Sequence, residues 1–190
     1  MQMRYLGDSF DIVKQSMLRW LKDFGEWKVH PMFTQRVSVA EVNAFERLLG
    51  ARAISTEVLG PKTDRCAYFA CASSCGNIFL DPDTGLRIRP IRGALSTKFL
   101  FVEDLLEITE NRPRSLTLIF DQSVPRGGEF NHLGSKLQEL HRRSLFGFAY
   151  ASHACFILVG GNRSLVAEAR ERVARESGLP ERRFLPVSGA

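Results

Sequence analysis

Short apolar runs alternate with helix-period segments along most of this chain, and that alternation narrows the possible folds more than any other feature. The strand candidates are Trp27 to Phe33, 52–58, Gly76 to Asp81, Ser115 to Asp121, Phe146 to Tyr150 and Ala154 to Val159. The helix candidates are 8–24, Ser38 to Gly50, 64–74, Val102 to Asn111, Glu129 to Arg143 and 163–177. Ser38 with Glu41 reads as a capping box, Gly50 and Gly178 read as helix stops, and Pro113 closes the helix before it. Strands that alternate with helices predict an α/β fold, a three-layer sandwich around a mainly parallel central sheet. The last two strands meet tightly at Ser152-His153, which predicts an antiparallel edge. A length of 190 residues fits one catalytic domain over 1–190.

Hydrophobic residues at 44% and charged residues at 25% exclude a disordered chain. No apolar run reaches the roughly 18–20 residues that cross a bilayer. Asp8, Asp11 and Lys14 interrupt any leader-like stretch, so the expectation is a cytoplasmic monomer with no membrane partner. Cys66, Cys71 and Cys75 lack zinc-ribbon spacing; with Cys155 they read as reduced thiols packed as small hydrophobes, with no metal. A net charge of +5 is compatible with a phosphate-rich partner, and DNA is the expectation.

The first helix contains an anomaly. At 100° per residue, Phe10, Val13, Met17, Trp20, Leu21 and Phe24 share one face, and Lys14 falls near it with Asp11 at its edge. A buried lysine requires a partner. Two readings stay open: Lys14 reaches across the sheet end to an acidic site or a phosphate, or its stem snorkels and its ammonium pairs with Asp11. Asp8 reads as an N-cap ahead of a catalyst.

Phe79-Leu80-Asp81-Pro82-Asp83-Thr84-Gly85 is the segment best suited to chemistry. Pro82 fixes the loop and Gly85 permits a tight turn. Two carboxylates held rigidly at a strand end can orient a water, a cation or a substrate, and ligands of parallel α/β sheets bind beyond the carboxyl ends of the strands. Asp121 ends a second strand and is a further pocket candidate. Arg87, Arg89, Arg92 and Lys98 follow the acidic loop and suit a phosphodiester, as does Arg126 beside Gly127-Gly128. The expectation is therefore a cavity bordered by Asp81 and Asp83 and lined with positive charge. His153, at the strand turn, is a candidate acid–base or base-contacting group. Walker, dinucleotide, His-Glu-x-x-His and Gly-x-Ser-x-Gly motifs do not occur.

Tyr5-Leu-Gly-Asp-Ser-Phe-Asp-Ile-Val-Lys14 resembles the opening of a group of bacterial and phage proteins that begin Gly-Asp-x-x-Asp-x-x-Lys. Ile78 to Gly85 resembles that group's Asp-Pro-Asp-Asn-Gly segment, and Ala154 to Leu158 its late apolar strand. Asp81-Pro82 is also distantly similar to the first half of the Asp-Pro-Pro-Tyr motif of ribosomal-RNA adenine-N6 methyltransferases; Asp83 and Thr84 depart from it. A further similarity is to the uracil-DNA glycosylase superfamily, whose strand-end acid and late histidine loop would fall on Asp81-Pro82 and His153.

These resemblances imply a pocket for a base taken out of its stack. No donor-binding Gly-rich loop follows an early strand, so hydrolysis is the simpler chemistry. The expected function is a DNA glycosylase-like hydrolase that removes a modified or damaged base and needs no cofactor, a reaction suited to anti-phage defence. Asp81 or Asp83 would orient water, Lys14 and Asp11 would shape the pocket, and Arg87, Arg89, Arg92 and Arg126 would hold the backbone. The alternatives are an S-adenosylmethionine-dependent adenine methyltransferase, or a nuclease holding Mg²⁺ on Asp81, Asp83 and Asp121.

Overall fold

The computed structural model describes residues 3–125 and 127–187. In chain order its strands are β1 (Trp27–His30), β2 (Arg52–Ala53), β3 (Asn77–Leu80), β4 (Gly85–Arg87), β5 (Phe99–Phe101), β6 (Leu116–Phe120), β7 (Phe146–Tyr150), β8 (Phe156–Gly160) and β9 (Phe184–Leu185). Seven of them form one sheet in the order β2-β1-β3-β6-β8-β7-β9, and β4 and β5 form a separate parallel pair. β2, β1, β3 and β6 run parallel. β8 is antiparallel to both β6 and β7, and β9 is antiparallel to β7. The fold is α/β with a mainly parallel central sheet and an antiparallel side.

Every residue of β3 and of β6 is buried, as expected where helices cover both faces of a sheet. Alternate residues serve two cores. Leu118 and Phe120 of β6 face a cluster that includes Met17, Phe45 and Val166, while Ile119 faces one that includes Phe69, Leu105 and Leu137. The first layer is α1 (Ser9–Trp20), α2 (Val39–Leu49) and α6 (Arg163–Ser177). The second is α3 (Arg65–Ser73), α4 (Val102–Thr109) and α5 (Glu129–Arg142). No helix among the described residues is long and apolar enough to cross a membrane.

The helix boundaries follow their caps. The Asp8 carboxylate accepts the Phe10 and Asp11 amides at the start of α1, and Ser38 and Glu41 close a capping box on α2. Gly50 ends α2 at φ 67°, a conformation that favours glycine. The strand expected over 52–58 is only the two residues of β2; the chain beyond it leaves the sheet edge, where Leu59 pairs with Phe33 instead. β4, β5 and β9 are too short for a two-residue period to reveal them. Cys155 is buried as expected, but Cys66 and Cys71 are exposed, because Tyr68, Phe69 and Ala72 take the buried face of α3.

His30 ends β1 fully buried between the rings of Tyr68 and Phe69, at 4.8 and 5.3 Å. Its Nδ1 has no partner among the described residues, and burial lowers its pKa from 6.5 to about 4. The folded state therefore keeps His30 neutral while the unfolded chain binds a proton below pH 6.5. This contribution to stability is complete above pH 6.5 and falls as the pH drops towards 4, by about 3 kcal/mol over the window. Urea midpoints measured between pH 7 and 4 should fall less steeply for His30→Phe than for the unaltered protein.

Candidate functional site at the carboxyl edge of the sheet

Because β3 and β6 are parallel neighbours, Asp81 and Asp121 emerge side by side at one edge. Each is seated by its backbone: the Asp81 amide donates to the His30 carbonyl and the Asp121 amide to that of Cys155. The amino-terminal turns of α1 reach the same edge. Lys14 Nζ lies 3.0 Å from Asp11 Oδ1 and 3.0 Å from Asp81 Oδ2, and all three side chains are at most 6% exposed. Lys14 therefore reaches the acidic strand end and pairs with Asp11 at once, but its ammonium is buried and does not snorkel to solvent. Asp11 Oδ2 accepts the Gly7 amide, and the Lys14 ammonium sits 4.4 Å over the Phe120 ring.

Burial opposes charge on Lys14, but the carboxylates of Asp81 and Asp11 outweigh it and hold the ammonium pKa above its ordinary value. Burial also pushes the Asp81 carboxyl above its ordinary range, despite the pull of Lys14. The charged lysine is thus flanked by the carboxyl groups of Asp11 and Asp81.

This bracket forms the base of a cavity of about 250 Å³. Its walls bring together Asp8, Asp11, Lys14, Asp81 and Asp83, with Tyr5, Phe10 and Phe120 as aromatic surfaces and Pro82 and Gln122 completing it. Gln122 Nε2 is buried and, among the described residues, has no hydrogen-bond partner. The Asp83 side chain is 14% exposed and lies 3.9 Å from Lys98 Nζ.

The expectation of a positively charged lining fails. Four carboxylates and one ammonium line the cavity, and that ammonium is already shared by two of the acids. Arg87, Arg89 and Arg92 are exposed and do not line it; the loop turns at Gly85 and carries them outward, with the Arg87 guanidinium 5.3 Å from the Phe99 ring. Arg126 lies outside the described residues. His153 is exposed and also lies outside the lining, but its ring packs 5.6 Å from that of Phe10.

Asp121 belongs to a second buried pair, with Lys136 of α5. Its Oδ1 accepts the Ser123 amide and hydroxyl, and Lys136 also donates to Ser123 Oγ at 2.7 Å. Burial lowers the Lys136 pKa, against the attraction of Asp121. Asp121 also presses on the acidic loop: a Cβ on Gly85, whose φ is +139°, would meet its Oδ1. The Gln122 backbone amide donates to the Thr84 carbonyl, and the Ser123 hydroxyl oxygen lies 3.0 Å from the Leu86 carbonyl. The loop carrying Asp83 is thereby clamped from behind. Lys136 escaped the sequence reading, although it shares its helical face with Leu133, Leu137 and Leu140 and shows the same signal as Lys14.

With Asp121 turned to Lys136, the Asp81, Asp83 and Asp121 trio is not assembled. Among the described residues no three His, Cys, Asp or Glu side chains converge as metal ligands. No protein-family model, no curated protein and no solved structure matches the chain. What fold and site define together is an α/β protein with an acidic, aromatic-walled cavity at the carboxyl edge of its sheet.

Lys14→Met leaves two carboxylates buried without compensation and should cost about 3–5 kcal/mol in urea unfolding. Adding Asp11→Asn and Asp81→Asn to that variant should restore most of the loss, because the uncompensated charges go with them.

Proposed function

We propose that the protein is a DNA glycosylase-like hydrolase, acting as a cytoplasmic monomer, that removes a modified or damaged base and leaves an abasic site. The observation that carries this reading is the union, in one ring-sized cavity, of aromatic walls with a net negative set of carboxylates. Tyr5 and Phe10 offer aromatic surface to a planar ring, with Phe120 under the Lys14 ammonium behind them, and the carboxylates and Gln122 offer partners to its edge. A cavity of about 250 Å³ suits a single extruded base better than a larger unit.

The charge selects the chemistry. A phosphate is repelled by four carboxylates, but a developing cation is held by them. Cleavage of an N-glycosidic bond passes through an oxocarbenium-like sugar, and nearby carboxylates stabilise that charge. The C1′–N bond breaks and its electron pair leaves with the base, which takes up a proton from solvent. Asp81, fixed by Lys14 through Oδ2, faces the developing positive charge. Asp83 accepts the proton of the water that adds to C1′. Asp8 and Asp11 hold the amino end of α1 against the cavity, and the aligned amides of that helix are already capped by Asp8. Arg87, Arg89 and Arg92, exposed just beyond the loop, suit the phosphates that must stay outside. The resemblance of Asp81-Pro82 to the uracil-DNA glycosylase superfamily points the same way.

The test is incubation of duplex and single-stranded oligonucleotides carrying varied modified bases, followed by hot alkali. Release of free base and strand breaks only after alkali are expected, with no effect of a chelator. Asp83→Asn should lower the rate by about 10²–10⁴-fold. Breaks without alkali, or a methyl group transferred from S-adenosylmethionine to an intact strand, would contradict the proposal.

A further inference from the structure

A second cavity, of about 370 Å³, opens on the antiparallel side of the sheet. Since β6 and β7 are both antiparallel to β8, the turn after β7 lies at the same edge as Asp81 and Asp121. That turn supplies Ser152 and His153 to the lining, the start of α5 supplies Glu129 and Phe130, and Arg183 enters from the residues just before β9.

An aromatic row joins the two cavities. The His153 ring, in the second, packs against Phe10, in the first, and Phe10 meets Phe120 edge-on at 5.8 Å. Phe130 remains 45% exposed, a large ring at the mouth of a cavity. Arg183 is anchored twice on Ala151: its carbonyl accepts the Ala151 amide at 2.8 Å, and its Nη1 donates to the Ala151 carbonyl at 3.4 Å. The first cavity is strongly acidic, whereas the second sets one guanidinium against one carboxylate.

These differences are complementary for a polymer. A base seated among four carboxylates must leave its phosphate outside, and the strand must continue over a wall that offers a cation and a flat surface. We infer that the second cavity is a subsite for the nucleotide next to the extruded one, with its base on Phe130 and His153 and the intervening phosphate on Arg183. The inference rests on the proposed function, because it takes the first cavity to hold a base.

Binding separates the two claims without requiring turnover. The probes are the deoxynucleosides and the matching dinucleoside monophosphates, titrated against protein with labelled histidine side chains. The His153 signal is assigned by its loss in His153→Gln. A dinucleoside monophosphate should bind about tenfold tighter than its nucleoside, and the His153 signal should move further with the dinucleoside than with the nucleoside, which reaches only Phe10 beside it. Phe130→Ala and Arg183→Gln should each reduce that gain. If nucleosides bind in a manner sensitive to Asp83→Asn but dinucleosides bind no tighter and move His153 no further, the subsite is overturned and the proposed function stands. If neither class of probe binds, both are overturned.

Discussion

A single buried ammonium ties the candidate site together. Lys14 belongs to α1, Asp81 to the end of β3, and the 3.0 Å contact between them fastens the first helix layer to the carboxyl edge of the sheet. Asp11 on the same helix shares the charge at the same distance. A lone lysine there would be driven to lose its proton, and a lone aspartate to gain one. Each is kept in place because the other is present, and the cavity wall is as rigid as the helix and the strand that supply it. The pattern recurs on the opposite face, where Lys136 of α5 meets Asp121 at the end of β6. Two neighbouring strands thus end in buried aspartates, each met by a lysine from a different helix layer.

The two pairs differ in what they leave open. Asp121 is enclosed by Lys136 and Ser123 and presses on Gly85, while the next residues, Gln122 and Ser123, hold the acidic loop at Thr84 and Leu86. Asp81 lines a cavity with Asp83 beside it. One pair holds the loop and the other presents it. The excess of carboxylate over ammonium gives the cavity its negative character, while the cations that produce the net charge of +5 are spread elsewhere, Arg87, Arg89 and Arg92 among them. For the proposed function, an acidic pocket apart from exposed cations would attract a polyanion and still keep its phosphates out of the cavity.

Much of this was legible in the sequence, for identifiable reasons. The layers follow from apolar periodicity, which is strong over segments as long as α1 and α5, and from the run of β6, apolar except for Thr117. The caps at Asp8, Ser38, Gly50 and Gly178 could be read because their residue types carry their geometry. Lys14 stood out because it sits on an apolar face, and Asp81 because it follows a buried strand. The sign of the cavity was not legible. Arg87 and Asp83 are four residues apart in sequence, yet the turn at Gly85 sends one into solvent and keeps the other at the cavity. Nor could the sequence tell that Asp121 pairs with Lys136 rather than joining Asp81, since that depends on which helix layer crosses which strand end. His153 reaches the site only through its contact with Phe10, a relation between two distant segments.

The proposed function requires that the cavity stabilise positive charge beside its aromatic wall. The most direct measurement compares two oligonucleotides that differ at one abasic position, one carrying a cationic pyrrolidine ring in place of the sugar and the other a neutral tetrahydrofuran. The account predicts that the cationic ring binds at least about 10²-fold more tightly, as expected for a mimic of the transition state, and that Asp81→Asn with Asp83→Asn removes most of the difference. Equal affinities for the two, or a preference for the neutral ring, would contradict it.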